Sequence, residues 1–333
     1  MPELRKDPVL ARWVIIATER VLRLADLRFP RAPRHGGPCA FCPGHEHETP
    51  PELLAYRDAP TPAPDSPGWR VRVVPNKFPA LRLEGQLERR GHGLYDLMTG
   101  IGAHEVVVES PDHDRDLGAL PLAALEDVVR AYRDRLLELR RDDRLRAAVI
   151  FKTHGLAAGA GLEHPHSQVL ATPILPTILG EEMQQARAYH DYRERCLFCD
   201  IVQQEIDDGR RLVTGGEHML AFAPFASRAP FETWIVPRRH AAAFESAWAA
   251  EQQDLARVLH AVLAALDRLL DDPPFTLLVH TAPFAETDSP SYHWHIEVTP
   301  QLLPRTGFAS GSGLHVNPLP PEDAARFLRD VAR

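Results

Sequence analysis

One order of side chains occurs twice in this chain. Cys39-Ala40-Phe41-Cys42 is followed by His113 and then by His164-Pro165-His166. Cys196-Leu197-Phe198-Cys199 is followed by His240 and then by His293-Trp294-His295. The lone histidine and the first histidine of the pair stand 51 residues apart in the first copy and 53 in the second. A repeat on this scale constrains the fold to two related halves. With 333 residues, the chain has room for two modest domains or one large duplicated one.

All four cysteines lie in the two CxxC pairs. A redox dithiol, a disulfide and half of a zinc site are the three readings of such a pair. A thioredoxin-like motif opens a helix within a βαβ unit, and neither pair has that setting. Zinc takes four thiolate and imidazole donors, and each half offers histidines downstream of its CxxC. Zinc is therefore the preferred reading of both pairs.

Runs rich in Val, Ile, Phe and Trp predict strands at 13–17, 71–74, 105–109, 148–153, 168–171, 219–222, 233–236, 276–280 and 293–299. Leu122, Leu125, Val129, Tyr132, Leu136 and Leu139 recur at helical spacing, as do Leu255, Val258, Leu259, Val262, Leu266 and Leu269. Each of these helices falls between the lone histidine and the HxH of its half. A third helix is expected from Gly180 to Arg195, and a short one from Glu322 to the end. Strands and helices mix without strict βα alternation. The expected class is α+β, two halves of largely antiparallel sheet with flanking helices. The boundary near Pro173–Gly180 divides the chain into 1–175 and 176–333.

The segment His164-Pro165-His166-Ser167-Gln168 carries the most chemistry. A neutral imidazole keeps a free lone pair at pH 7, attacks phosphorus well and can carry a nucleotidyl group as a phosphoramidate. The Gln168 amide can donate to a phosphate oxygen without adding a charge. Taken alone, the pentapeptide also fits a metal-ligand pair or a pair of strand histidines. The net charge of −8 argues against a general nucleic-acid binder, though a nucleotide needs only a few local cations. No apolar run suits a signal peptide or a membrane span, so a cytoplasmic location is expected.

With Phe151-Lys152-Thr153-His154-Gly155, Gly159-Ala160-Gly161 and the HPHSQ segment in view, the chain resembles the galactose-1-phosphate uridylyltransferase family, a duplicated branch of the histidine-triad superfamily. The resemblance runs from Arg20 to the C-terminus. It implies two histidine-triad-like halves and a homodimer. It also implies a two-step exchange between a nucleotide-sugar and a sugar 1-phosphate. His166 attacks the α-phosphorus of UDP-glucose, and galactose 1-phosphate or a related hexose 1-phosphate then takes the uridylyl group. Gln168 acts on the phosphate. Asn76 and Lys77 fall in or beside a segment that contacts the nucleotide, and Arg20 and Arg23 match paired early arginines. Ser167 and Gly161 belong to the phosphate-binding stretch, with Gly161 where many members have a Ser. Phe308 lies in a segment that holds the hexose, with Ala309 in place of a typical acidic residue. A phosphorylase that uses inorganic phosphate as acceptor shares the first step and is the alternative activity. A zinc-stabilised nucleotide-binding protein without catalysis is the reading from another class.

The family pattern places structural zinc, Zn(2+), at Cys39, Cys42, His113 and His164, which fixes the segment that carries His166. For the second half it offers two ligand sets. One is Cys196, Cys199, His240 and His293. The other is Glu182, His280, His293 and His295. The two cysteines favour the first, and an empty site is the third option. Ile296 and Glu297 replace Ser167 and Gln168 after His295, so the second half is expected to keep the scaffold without the chemistry. Among other residues, Lys77 and Lys152 are candidate phosphate contacts and His154 a candidate for shaping the site. His35, His45, His47 and His92 are expected in surface or loop roles, without a metal.

Overall fold

Period-two apolar runs pair into strands, and the stretches with three- and four-residue spacing coil over them. The computed structural model describes residues 1–19, 36–37, 39–58, 63–304 and 307–332. The first half contains β1 (Glu3–Lys6), β2 (Trp13–Ile16), β3 (Leu54–Arg57), β4 (Trp69–Pro75), β5 (Arg89–His92), β6 (Tyr95–Met98), β7 (Ala103–Val108), α1 (Leu122–Leu139), β8 (Ala147–His154) and β9 (His166–Thr172). The rest of the chain contains α2 (Thr177–Arg193), α3 (Leu197–Asp208), β10 (Leu212–Gly215), β11 (Met219–Phe222), β12 (Thr233–Pro237), α4 (Ala249–Leu270), β13 (Phe275–His280), β14 (His295–Pro300), α5 (Gly307–Ser312), β15 (His315–Asn317) and α6 (Pro321–Ala332).

Ten strands form one antiparallel sheet in the order β10-β11-β12-β14-β13-β8-β9-β7-β4-β3. Read from its edge inward, the first half gives β3, β4, β7, β9, β8 and the second gives β10, β11, β12, β14, β13. The two orders correspond strand for strand. They meet where β8 pairs with β13, Phe151 opposite Leu278. The sequence repeat is thus a repeat of strand order. A separate small sheet joins β1, β2 and β15, the last pair parallel.

One face of the large sheet packs on α1 and α4. Leu125, Val129, Tyr132 and Leu136 of α1 and Leu255, Leu259, Val262 and Leu266 of α4 meet Val71, Val73, Val107, Ile150, Val169, Leu277, Val279 and Ile296 in one core that spans both halves. Each fully buried leucine there contributes roughly 2 kcal/mol. The other face differs between halves. In the second, α2 and α3 cover it, with Leu179, Met183, Phe198 and Val202 against Leu220, Phe222, Trp234 and Val236. In the first, the described residues form a smaller cluster of Phe41, Trp69, Val74, Val106 and Val108. None of the described helices is long and apolar enough to cross a membrane.

All nine expected runs fall on strands, with ends shifted by a few residues. The run at 293–299 becomes a strand only from His295, and β9 likewise starts at His166. The helix expected to Arg195 ends at Arg193, where Glu194 takes a left-handed conformation (φ 56°). A second helix, α3, then begins at Leu197 and was not foreseen. Its apolar stripe, Leu197, Phe198, Ile201 and Val202, is interleaved with the CxxC that drew attention away from it.

Candidate active site and metal centres

The first CxxC lies in a turn, and the fold brings it to His113 and His164. Cys42 Sγ is 3.4 Å from His113 Nδ1 and 3.7 Å from His164 Nδ1. The ligand atoms of Cys39, Cys42, His113 and His164 all lie within 4.8 Å of one another. His164 Nε2–H donates to the Ser110 carbonyl at 2.8 Å, so the Nδ1 lone pair faces the thiols. Zinc with Zn–S of about 2.3 Å and Zn–N of about 2.0 Å in a tetrahedron sets sulfur and nitrogen about 3.5 Å apart. The donor set fits that ion.

The second half repeats this geometry. Cys199 Sγ is 3.5 Å from His240 Nδ1 and 3.6 Å from His293 Nδ1, and His293 Nε2–H donates to the Pro237 carbonyl at 2.9 Å. Cys196, Cys199, His240 and His293 form the second close group. Cys196 is the N-cap of α3, so this pair does open a helix. The element before α3 is the helix α2, which differs from the βαβ context of a redox motif.

His166 opens β9, and its Nδ1–H donates to the His164 carbonyl at 2.8 Å. The lone pair is therefore on Nε2. Burial pushes the His166 pKa down, and the Lys152 charge adds to this against the opposing bond to His164. The ring is neutral at pH 7. The Phe41 ring, inside the CxxC, packs on both histidines, with centroids 6.1 Å from His164 and 5.5 Å from His166. Gln168 shares the face of His166, two residues along the strand. Its Oε1 accepts from His104 Nε2 at 2.7 Å and from Asn76 Nδ2 at 3.4 Å. His104 was missing from the sequence candidates. Its signal was period two: Ala103 and Val107 face the core, which puts His104 on the side of Val106 and Val108.

Ser167 corrects an expectation. It points to the opposite face of β9, buried, where its Oγ donates to Glu109 and meets the Tyr132 hydroxyl. Its side chain is a core group and does not line the face of His166. Lys152 is a second correction. Its ammonium is 1 % exposed and pairs with Glu109 at 2.8 Å and Asp116 at 3.1 Å, beneath the His166 carbonyl. Burial opposes the charge on Lys152, but Asp116 and Glu109 outweigh it and raise its pKa. A phosphate on the other face is out of its reach. His154 extends this network, bonded to Asp116 and, at 2.7 Å, to Asp272. Burial works against its charge, yet the two carboxylates lift its pKa to about 9.

That shift has a pH consequence. The folded value lies above the unfolded one of about 6.5, so the stabilisation is complete below pH 6.5 and disappears as pH rises through 9. Its size is about 3 kcal/mol. Urea unfolding should show His154→Gln less stable than wild type at pH 6, with the gap closed above pH 9.5. A gap independent of pH would contradict the ion pairing.

The second half shows what the same scaffold looks like without the chemistry. Gln168 stands opposite Val106 and Phe151, and Glu297 stands opposite Trp234 and Leu278. By this register Glu232 occupies the place of His104. Arg228 bridges Glu232, at 2.8 Å, and Glu297. Glu297 is thus buried and paired with Arg228. His295, the counterpart of His166, is fully buried under Trp234 and Phe198, with centroids at 5.0 and 5.1 Å. His293 turns to Cys199, which corrects the second of the expected ligand sets. Glu182, His280 and His295 instead gather with Glu297 in a third close group. Glu182 Oε1, His280 Nε2 and His295 Nε2 are buried there without hydrogen-bond partners among the described residues.

Other expected site residues are spread out. Lys77 is exposed and donates to the Glu48 carbonyl at 3.3 Å. Gly161 is exposed, and a Cβ there would meet nothing within 4 Å, so a larger side chain has room. Gly155 has no such freedom: its φ is +79° and a Cβ would lie 3.0 Å from Pro274. Phe308 is 51 % exposed on α5. No hydrogen bond or ring contact among the described residues joins it to His166. Arg20, Arg23 and His35 lie outside the described residues. His45 bonds to Glu48 at 2.7 Å and stacks on His47, and its side chain is not part of the metal group, while His92 is exposed on β5.

Comparison with known proteins agrees with this architecture. Residues 63–176 match the model of the galactose-1-phosphate uridyl transferase N-terminal domain, and residues 182–310 match that of its C-terminal domain. ADP-glucose phosphorylase of Arabidopsis thaliana is 34% identical, over 99% of this chain and 93% of its own. Galactose-1-phosphate uridylyltransferase of Thermotoga maritima is 30% identical over 99% of each. The crystal structure of the Arabidopsis thaliana ADP-glucose phosphorylase with bound ADP-glucose superimposes with a TM-score of 0.83, at 31% identity and 99% coverage of both chains.

Proposed function

The chain belongs to the galactose-1-phosphate uridylyltransferase family, and from that premise we propose a nucleotidyltransferase that works through a nucleotidyl-His166 intermediate. The observation that carries the reading is a neutral His166 with its lone pair on Nε2, on one strand face with the Gln168 amide. Nε2 attacks the α-phosphorus of a nucleotide-sugar. A P–N bond forms, and the bond to the bridging oxygen breaks. That oxygen keeps the electron pair and leaves as sugar 1-phosphate. An oxygen of the acceptor then attacks the same phosphorus, and the pair of the P–N bond returns to Nε2. The phosphoramidate retains the activation of the pyrophosphate bond, so no ATP enters. Gln168 donates to the non-bridging oxygens, and Asn76 and its neighbours hold the nucleotide.

Two acceptors complete this cycle, each favoured by a relative. A hexose 1-phosphate acceptor with UDP-glucose follows the Thermotoga maritima transferase. Inorganic phosphate with ADP-glucose follows the Arabidopsis thaliana phosphorylase. Gly161 and Ala309 lack side-chain hydrogen-bonding groups, and a site without partners for sugar hydroxyls discriminates weakly between hexoses. A product assay separates the two. A nucleoside diphosphate made from ADP-glucose and phosphate identifies the phosphorylase. A new UDP-sugar made from UDP-glucose and a hexose 1-phosphate identifies the transferase. Neither product would reject the exchange.

The proposal includes zinc in both Cys–Cys–His–His groups, with a structural role. Bound there it clamps the turn at Cys39 to the segment before His166, and Phe41 comes with it. Metal analysis should give one zinc for each group, and Cys42→Ser should lower the count by one and weaken the fold. A fully stable protein without metal would contradict this. A homodimer in the cytoplasm, and a division into halves at 175/176, belong to the same reading.

A further inference from the structure

A glutamine amide is nearly symmetric in shape and opposite in function at its two ends. Oε1 accepts and Nε2 donates. Turned one way Gln168 stabilises a phosphate oxygen, and turned the other way it repels it. We propose that His104 is the positioning residue that fixes this choice, an inference that rests on Gln168 acting as a phosphate donor.

The hydrogen bonds run back to two backbone N–H groups, which cannot flip. Ala80 N–H donates to His104 Nδ1 at 3.1 Å. Nδ1 is therefore the acceptor of the ring, and its N–H is on Nε2. Nε2–H then donates to Gln168 Oε1 at 2.7 Å. Phe78 N–H donates to Asn76 Oδ1 at 2.9 Å, which turns Asn76 Nδ2 toward Gln168 Oε1 at 3.4 Å. Asn76 Nδ2 also comes within 3.2 Å of His104 Nε2, a contact of two donors that forms no bond. Two donors thus converge on Oε1, and the Gln168 amino group is left to face the reacting phosphate. In the second half the corresponding pair is Glu232 and Glu297, locked by Arg228, with no amide to orient.

Intact-mass analysis in single turnover measures the rate of nucleotidyl-enzyme formation with ADP-glucose and with UDP-glucose. His104→Glu places an acceptor opposite Oε1 and should turn the amide. The rate should fall on the order of 10²-fold, with the affinity for nucleotide-sugar nearly constant. His104→Gln retains a donor at a similar distance and should recover most of the rate. In a Gln168→Ala background His104→Glu should cost little more. Full additivity of the two, or equal loss in His104→Gln and His104→Glu, would overturn the proposal. Long-range proton–nitrogen NMR of the intact protein gives a readout without turnover. The proposal requires the Nε2–H tautomer of His104, and an Nδ1–H tautomer overturns it. If the wild type forms no adduct but His104 shows the Nε2–H tautomer, the nucleotidyl reading fails and the orientation of Gln168 stands.

Discussion

His166→Ala should abolish turnover, lowering the rate of nucleotidyl transfer on the order of 10⁶-fold. Four described residues that could be considered as substitutes are otherwise engaged. The His164 ring directs Nδ1 at Cys42 and spends Nε2–H on the Ser110 carbonyl. Ser167 lies on the other side of the strand, bonded to Glu109 and Tyr132. Lys152 lies below the strand, paired with Glu109 and Asp116. The counterpart in the other half, His295, is sealed under Trp234 and Phe198. The variant should nevertheless fold with the same metal content as the wild type, because His166 belongs to neither Cys–Cys–His–His group. Steady-state rates together with metal content and thermal midpoint check both parts. Substantial residual turnover by a purified variant would remove the covalent mechanism.

Lys152→Met should be the most damaging single change to stability, at about 3–5 kcal/mol. The ammonium compensates Glu109 and Asp116, and burial pushes Glu109 up as Asp116 is held well down. Removing the cation leaves carboxylates in the core beside Tyr132, Ser167 and the His166 carbonyl. The second half shows that the scaffold does not need this charge. By register, Val279 stands where Lys152 does, and Ile296 where Ser167 does, and both are buried in the same core. Glu109→Leu combined with Lys152→Met should therefore recover a large part of the loss. Urea midpoints of the single and double variants test this. A double variant no better than the single one would show that the network stabilises beyond its pairing of charges.

The residues that the structure gathers around the two metal groups were legible in sequence because the same order of side chains was written twice. His113 and His240 could be matched only through that repetition, since neither lies near its CxxC in the chain. That the two halves share one strand order follows from the same source, while the order itself comes from the structure. Other features depend on register, which a single strand does not reveal. Whether Ser167 faces a phosphate or the core is decided by its partners just past β7 and on α1, Glu109 and Tyr132. His104 becomes visible only when Gln168 is placed beside β7. Lys152 reads as a candidate phosphate contact in sequence because nothing local announces the two carboxylates, 43 and 36 residues earlier, that take it into the core. The helix α3 is hidden in the sequence because Cys196 caps it and Cys199 occupies its first turn.

The most direct measurement is to quench the protein after mixing with ADP-glucose or UDP-glucose and to locate the modified residue. The account predicts an acid-labile gain of one nucleotidyl group, matched by released sugar 1-phosphate, on the peptide that contains His166 and bonded through Nε2. An adduct on any other side chain, or none with either nucleotide-sugar from an intact, metal-loaded protein, would contradict it.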